Sequence, residues 1–259
     1  MNNDIPRPSI LPLKLDNIEF KADGVRLIKD FTCTFDQGPR SVIIGPNGAG
    51  KSLLLRLCHG LIKPSNGQIT WSLDPQKKQA MVFQRPVMLS RSVAANIDYA
   101  LKLHDRPRRE RADIIDDVLS QTGLRRLAKK PARVLSFGEQ QKLALARAWA
   151  LKPDVLFLDE PTASLDPSAT HSVEQIINAI HAQGTRIIMT THDLGQAKRI
   201  ADEVLFIHRG RLLEKALAKQ FFEQPKNDLA EAFVNGDLLW WRLGKDNQGP
   251  DSKRRPKPN

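Results

Sequence analysis

The stretch RSVIIGPNGAGKSLLLRLCHG (40–60) passes from a short β-branched strand through a glycine-rich turn into a helix. Its central part, GPNGAGKS (45–52), matches the pattern G-x-x-x-x-G-K-[ST] in the strand-to-helix context that the pattern requires. Glycines let backbone N–H groups curl around a phosphate, and the amino terminus of the helix adds a positive field there. We expect Lys51 to reach the β- and γ-phosphates and Ser52 to offer its hydroxyl to Mg²⁺. The stretch therefore predicts a nucleoside triphosphate site built from Gly45, Pro46, Asn47, Gly48, Ala49, Gly50, Lys51 and Ser52.

An acidic pair follows an apolar run in the second half of the chain. VLFLDEP (155–161) begins with four apolar residues, which predict a strand buried on both faces with Asp159 at its carboxyl end. Asp159 can hold a metal ion through water. Glu160 lies where a carboxylate can orient or deprotonate an attacking water. Together with the upstream loop, the pair predicts metal-assisted hydrolysis of the bound nucleotide.

The remaining pattern predicts an α/β fold. Alternating apolar residues over 13–20 and 25–35 predict two antiparallel strands that turn at Asp23-Gly24. Helical patterns fill the stretch from 91 to about 130, and strands then alternate with helices as far as residue 201. We therefore expect a mainly parallel core sheet, an antiparallel β lobe and an inserted helical subdomain at about 85–150. The ATPase domain should span 1–241, and a basic, disordered tail should follow at 242–259.

Composition narrows the class of protein. The chain has 259 residues, of which 41% are hydrophobic and 27% charged, so it can bury a sizeable core. It contains no run of roughly 20 apolar residues that would cross a bilayer, and we expect no secretory signal. Cys33 and Cys58 are too few for a disulfide framework. The net charge of +11 raises nucleic acid or an anionic membrane surface as a partner. However, no aromatic residues are interleaved with the basic runs, so we expect a solvated surface and no nucleic acid.

These motifs resemble those of ABC-type ATPases over nearly the whole chain. LSFGEQQ (135–141) is similar to the signature loop of that family, which presents its serine and helix amides to the γ-phosphate held by the opposite subunit. Ser136 and Gly138 match the pattern, whereas Phe137 replaces its first glycine and Glu139 replaces its glutamine. These two departures leave open the local backbone and the effect of the added negative charge.

Three further positions match the family, and with them the resemblance implies a complete site. Gln84 matches the glutamine that touches metal and water, Ser164-Leu165-Asp166 matches the loop that crosses the dimer interface, and His192 matches the switch histidine. The resemblance implies a homodimer that closes on two ATP molecules with Mg²⁺. It implies catalytic roles for Glu160, His192 and Gln84, nucleotide contacts from Ser136, Gly138 and Asp166, and metal contacts from Ser52, Gln84 and Asp159.

One element that the resemblance implies is missing. The family stacks adenine on an aromatic residue whose position falls near Ala22, and the nearest aromatic residue is Phe20. If no aromatic ring lies at this position, most of the affinity for the nucleotide should come from its phosphates, and discrimination between bases should be weak. Alternatively, Phe20 takes the place of the missing ring.

Three segments resemble bacterial oxyanion importers of the tungstate type: FQRPVMLSRSVAANI (83–97), THDLGQAKRIADEVLFIHRGRLLE (191–214) and FVNGDLLW (233–240). The resemblance implies a separate transmembrane permease, a periplasmic or surface substrate-binding protein, and a peripheral location on the cytoplasmic face of the cell membrane. Molybdate, sulfate and phosphate remain alternative substrates. A soluble, nucleic-acid-linked ABC ATPase is disfavoured, because the chain has no long coiled coil and no zinc module.

The apolar residues Val87, Met88 and Leu89 follow Gln84 in a segment that we expect to be exposed. The family places a coupling helix of the permease in this region, so the three residues are candidate anchors for it. The alternative is that they cover the core of the helical lobe itself.

Overall fold

Two β-sheets form the framework of the protein in the computed structural model, which describes residues 9–237. The predicted tail at 242–259 lies outside these residues. An antiparallel sheet with the order β2–β1–β4 consists of β1 (Leu13–Ala22), β2 (Val25–Phe35) and β4 (Asn66–Trp71). A second sheet with the order β5–β6–β7–β3–β8–β9 consists of β3 (Ser41–Ile44), β5 (Gln79–Val82), β6 (Val155–Asp159), β7 (Arg186–Thr190), β8 (Glu203–His208) and β9 (Arg211–Leu217).

Eight α-helices connect and cover these strands within the described residues. They are α1 (Lys51–His59), α2 (Val93–Leu103), α3 (Arg108–Gln121), α4 (Phe137–Ala150), α5 (Pro167–Ala182), α6 (Leu194–Ile200), α7 (Ala218–Glu223) and α8 (Asp228–Val234). Within residues 9–237, none of the helices has the length and apolar content that a membrane span requires.

The larger sheet is mainly parallel, as the sequence predicts. The four pairings β5–β6, β6–β7, β7–β3 and β3–β8 are parallel, and only β8–β9 is antiparallel. Every residue of β3, β6 and β7 is buried, because one hydrophobic cluster covers each face of the sheet. The carboxyl ends of these three parallel strands meet at one edge, where ligands bind in open α/β sheets.

The helical stretch lies between β5 and β6 in the chain. α2, α3 and α4 pack against one another, and α4 also packs against α5 and β5. One continuous cluster joins these helices to the sheet, with Ile97 and Leu101 from α2 and Leu156 and Leu158 from β6. The limits of the subdomain at about 85–150 stay a prediction.

The predicted exposure of Val87, Met88 and Leu89 is wrong for Met88. Val87 is 73% exposed, but Met88 is buried in the cluster that joins the helices to the sheet, and Leu89 is half-buried. Successive side chains of an extended segment point to opposite sides, so one apolar neighbour faces out while the next faces in. Met88 therefore covers the core, and only Val87 is fully available to a partner.

Candidate functional site

The glycine-rich loop from Gly45 to Gly50 joins β3 to α1. Gly45 (φ 150°), Gly48 (φ 77°) and Gly50 (φ 101°) all have positive φ, which L side chains rarely adopt. A Cβ at Gly45 would lie 2.0 Å from the carbonyl oxygen of Ile207, and one at Gly50 would lie 2.8 Å from Cδ1 of Ile28. Residues of two neighbouring strands, β8 and β2, therefore lie in close contact with the loop, and only glycine fits at these two positions.

Lys51 and Ser52 are the first two residues of α1. The Nζ of Lys51 donates to the carbonyls of Gly45 (2.9 Å) and Pro46 (3.2 Å), inside the loop. Burial lowers the pKa of Lys51, and the charges of Glu160 and Asp159 oppose that shift. The chain thus places a buried ammonium group inside the loop, where phosphate oxygens would meet it.

Asp159 ends β6 and is held by two hydroxyl groups. Its Oδ1 accepts hydrogen bonds from Ser52 Oγ (2.7 Å) and from Thr190 Oγ1 (2.9 Å). Thr190 ends the neighbouring strand β7, is fully buried, and also accepts from the backbone N–H of Glu160 (3.0 Å). Sequence analysis missed Thr190. The sequence could have indicated Thr190 only through its strand, β7. That strand ends just before His192 and runs parallel to β6, the strand that ends at Asp159.

Three predicted catalytic residues meet at one oxygen atom. Oε2 of Glu160 lies 2.9 Å from Nδ1 of His192 and 3.5 Å from Nε2 of Gln84. A carboxylate only accepts hydrogen bonds, so Nδ1 of His192 carries the proton in this contact. The side chain of Glu160 is 15% exposed and that of His192 is 56% exposed, so the group opens towards solvent. Residues that follow three separate strands are thereby assembled beside the glycine-rich loop.

The oxygen donors of this region fit Mg²⁺. Ser52 supplies a hydroxyl and Asp159 supplies a carboxylate, which are hard ligands of the type that Mg²⁺ prefers. Gln84 contacts Glu160 and not Asp159. Among the described residues, no group of three or more His, Cys, Asp and Glu side chains is arranged to hold a metal.

Ser136, Gly138 and Asp166 form a second group at the amino termini of α4 and α5. A Cβ on Gly138 would lie 3.2 Å from Cβ of Ala169, so the two helix starts are in close contact. Asp166 caps α5 through its Oδ1, which accepts from the N–H of Ala169 (2.9 Å). No side-chain hydrogen bond within residues 9–237 joins this group to the glycine-rich loop.

The structure answers the question about the local backbone of the signature loop. Phe137 is the first residue of α4, is helical, and is 36% exposed, so it is accommodated without distortion. The N–H and the hydroxyl of Ser136 both donate to Oε2 of Glu139, at 2.8 and 2.9 Å. The N–H of Glu139 donates back to Oγ of Ser136 at 3.3 Å, which completes a capping box.

The hairpin of β1 and β2 lies beside the glycine-rich loop. Gly210 connects the two, because its N–H donates to the carbonyl of Ala49 and its carbonyl accepts from the N–H of Lys29, each at 2.9 Å. Ala22 ends β1 opposite Val25, and Val25 is 58% exposed. Phe20 is half-buried against the core of the antiparallel lobe.

Fold and geometry together define a P-loop nucleoside triphosphatase. A glycine-rich loop precedes a buried lysine, a serine bonds the aspartate of a neighbouring strand, and a glutamate next to that aspartate meets a histidine and a glutamine.

Comparisons with known proteins extend this result. A family model described as ABC transporter matches residues 28–163. The phosphate import ATP-binding protein PstB 2 of Natronomonas pharaonis is 34% identical over 239 residues, covering 84% of this chain and 84% of that protein. The tungstate uptake system ATP-binding protein TupC of Peptoclostridium acidaminophilum is 35% identical over 209 residues, covering 79% and 98%. Other relatives of similar identity are named for methionine import and arginine transport.

Among solved structures, an ATP-binding subunit of an ABC transporter superposes with a TM-score of 0.76 at 25% identity, covering 87% of this chain and 99% of that one. This chain therefore belongs to the ABC transporter family of ATP-binding subunits, which hydrolyse ATP for transport.

Proposed function

We propose that this chain is the ATP-hydrolysing subunit of an importer for an oxyanion, and that Glu160 is the base that activates water. The observation that carries the proposal is the meeting of Gln84 and His192 at Oε2 of Glu160, one residue beyond the aspartate that bonds Ser52. A base must lie within hydrogen-bond reach of the proton that it removes. Glu160 meets this condition for a water placed at the end of the phosphate chain that the loop would hold.

Each neighbour of Glu160 has a separate task in this proposal. Lys51 and the amides of the glycine-rich loop bind the phosphates and offset their charge. Ser52 and Asp159 would hold Mg²⁺, which would neutralise charge on the phosphate oxygens. His192 donates a hydrogen bond from Nδ1 to Glu160 and so fixes the position of that carboxylate. Gln84 contacts the same carboxylate oxygen at 3.5 Å and, in this proposal, helps to orient the attacking water.

Two copies complete the proposed site. Ser136 and Gly138 lie at the start of α4 and Asp166 at the start of α5, and they make no side-chain hydrogen bond to the glycine-rich loop of their own chain within the described residues. Helix amino termini favour anions. We infer that these residues act on the nucleotide bound by the opposite copy of a homodimer, as the resemblance to the family implies.

The substrate that we propose is supported by some of the relatives and not by the site. Proteins 34% and 35% identical to this chain are named for phosphate and tungstate import, so an oxyanion is the substrate that we propose. The chain itself would act at the cytoplasmic face of a membrane, with a separate permease and a substrate-binding protein that selects the ion.

The role of Glu160 is tested by Glu160→Gln. Gln occupies nearly the same volume but cannot take a proton, so we expect turnover to fall at least about a hundredfold while ATP still binds. Steady-state ATPase assays and nucleotide titration measure the two effects, and gel filtration with ATP detects the stabilised dimer that the proposal requires. The matched control is Glu231→Gln in α8, outside the site, which should keep wild-type turnover. Turnover of Glu160→Gln within a few-fold of wild type would contradict the role of Glu160.

The substrate is tested by reconstitution. A permease and a binding protein, sought among the genes that neighbour the one for this chain, should be assembled with it in vesicles, and uptake of tungstate, phosphate and methionine measured with ATP inside. We expect uptake of one oxyanion, and none with Glu160→Gln. Uptake of methionine alone would contradict the oxyanion assignment and leave the ATPase assignment intact.

A further inference from the structure

A buried amide links the loop after Glu160 to the helix after His192. Gln196 lies in the first turn of α6 and has no exposed surface. Its Nε2 donates to Oγ1 of Thr162 at 2.7 Å and to Oε1 of Glu174 at 3.2 Å. Thr162 and Glu174 lie outside every motif identified above, and Gln196 lies within the 191–214 segment without a role of its own.

The orientation of this amide is fixed by charge. Glu174 is buried, and Arg199 binds its carboxylate twice, with Nε at 3.0 Å from Oε2 and Nη2 at 2.7 Å from Oε1. The hydrogen bond to Glu174 raises the pKa of Arg199. The amide nitrogen of Gln196 must face the carboxylate, since an amide oxygen in that place would be repelled. Gln196 therefore presents its second N–H to Thr162.

The loop that Thr162 belongs to needs such an anchor. Glu160 (φ 45°) and Ser164 (φ 65°) both have positive φ, which is costly for residues other than glycine. Such conformations persist only where the surroundings hold them. The backbone N–H of Glu160 is held by Thr190, and the hydroxyl of Thr162 is held by Gln196.

We propose that Gln196 is a positioning residue for ATP hydrolysis, which acts through Thr162 on the carboxylate of Glu160. The helix that begins directly after His192 is thereby fixed to the loop that begins directly after Glu160. The 2.9 Å contact between these two residues depends on that link. The inference rests on the proposed role of Glu160 as base.

The link is tested by removing it from either side. Gln196→Leu and Thr162→Val each delete the hydrogen bond at nearly constant volume, and each should lower kcat about tenfold with KM for ATP changed less than about twofold. Thr162→Ser keeps the hydroxyl and should restore kcat to within about twofold of wild type. The double variant should be no slower than the slower single variant, because both changes remove the same hydrogen bond between Gln196 and Thr162.

Gln183→Leu provides the matched control. It removes a hydrogen bond of similar length, from Nε1 of Trp149 to Oε1 of Gln183 at 2.8 Å, far from Glu160. We expect wild-type kcat for this variant. Melting temperatures of all variants should be measured alongside.

Several outcomes would overturn the proposal. One is wild-type kcat in Gln196→Leu. Another is an equal loss of kcat in Thr162→Val and Thr162→Ser, which would mean that the hydroxyl of Thr162 does not support turnover. If Gln196→Leu fails to fold, the comparison of Thr162→Val with Thr162→Ser decides alone. Normal turnover of Glu160→Gln would instead remove the proposed role of Glu160, whatever Gln196 does.

Discussion

Glu139 places a carboxylate at the amino terminus of α4, where both donors of Ser136 already bond to it. In the proposed homodimer, the same donors face the γ-phosphate of the opposite copy. A carboxylate at this point stabilises the helix but repels a phosphate. The capping box therefore supports the fold of the single chain and opposes closure of the dimer on ATP.

Glu139→Gln separates these two effects, because glutamine keeps the capping acceptor and loses the charge. We expect the ATP-dependent dimer of the Glu160→Gln background to tighten about two- to fivefold when Glu139 is also changed. Analytical ultracentrifugation with ATP gives the dimer Kd. Glu110→Gln, which removes the one acidic charge from the first turn of α3, is the matched control and should leave the Kd unchanged. A weaker dimer with Glu139→Gln would contradict the repulsion.

At the residue scale, short motifs with a stated mechanism were predictable, and contacts that depend on strand register were not. The bond between Ser52 and Asp159 follows from two local patterns whose chemistry requires them to meet. Thr190 joins the site only because β7 pairs with β6 in a register that sets it beside Asp159. Sequence spacing carries no information about that register. The same holds for Gln196, whose partners come from two other elements.

At the element scale, the hairpin of β1 and β2 contains the position near Ala22 where the resemblance to the family implies a ring that stacks on the base. Its end presents Ala22, Val25 and Leu27 near the glycine-rich loop, and none of these side chains is aromatic. Phe20, the nearest ring, is half-buried against the core of the lobe. The hairpin itself was predictable from alternation. The irregular register within β1, where Asn17 has φ 47°, was not.

We expect ATP and GTP to bind within about tenfold of each other, because an aromatic shelf is worth roughly 1–3 kcal/mol per base and its place is taken by small side chains. Ala22→Tyr should tighten ATP binding, and Phe20→Ala should change it little. Lys14→Tyr, an exposed position of the same strand, is the control and should have no effect. Isothermal titration with ATP and GTP measures all four proteins. If Phe20→Ala weakens ATP binding and Ala22→Tyr does nothing, Phe20 holds the base instead.

At the scale of the whole molecule, alternation of strands and helices predicted the parallel core and the antiparallel lobe. Which side chains face outward between those elements was less predictable. Three consecutive apolar residues give no periodicity, and only packing decided that Met88 faces the core while Val87 faces solvent. Beside this segment, a groove of about 500 Å³ lies between β5, α2 and α4. Its exposed apolar side chains are Phe83, Val87 and Leu103.

This groove is the surface that we expect the permease to occupy. It begins one residue before Gln84, so a partner seated there would be linked to Glu160 through a single side chain. Val87→Asp and Leu103→Asp place a charge where an apolar anchor should bury, and each should abolish co-purification with the permease encoded next to this chain. Nucleotide binding and ATPase activity of the isolated chain should be unchanged, because neither residue supports the site.

Leu217→Asp, equally exposed at the end of β9, is the control and should still co-purify. Met88→Asp should instead lower the melting temperature, since it buries a charge in the core. Retention of the permease by both Val87→Asp and Leu103→Asp would place its docking surface elsewhere on the molecule.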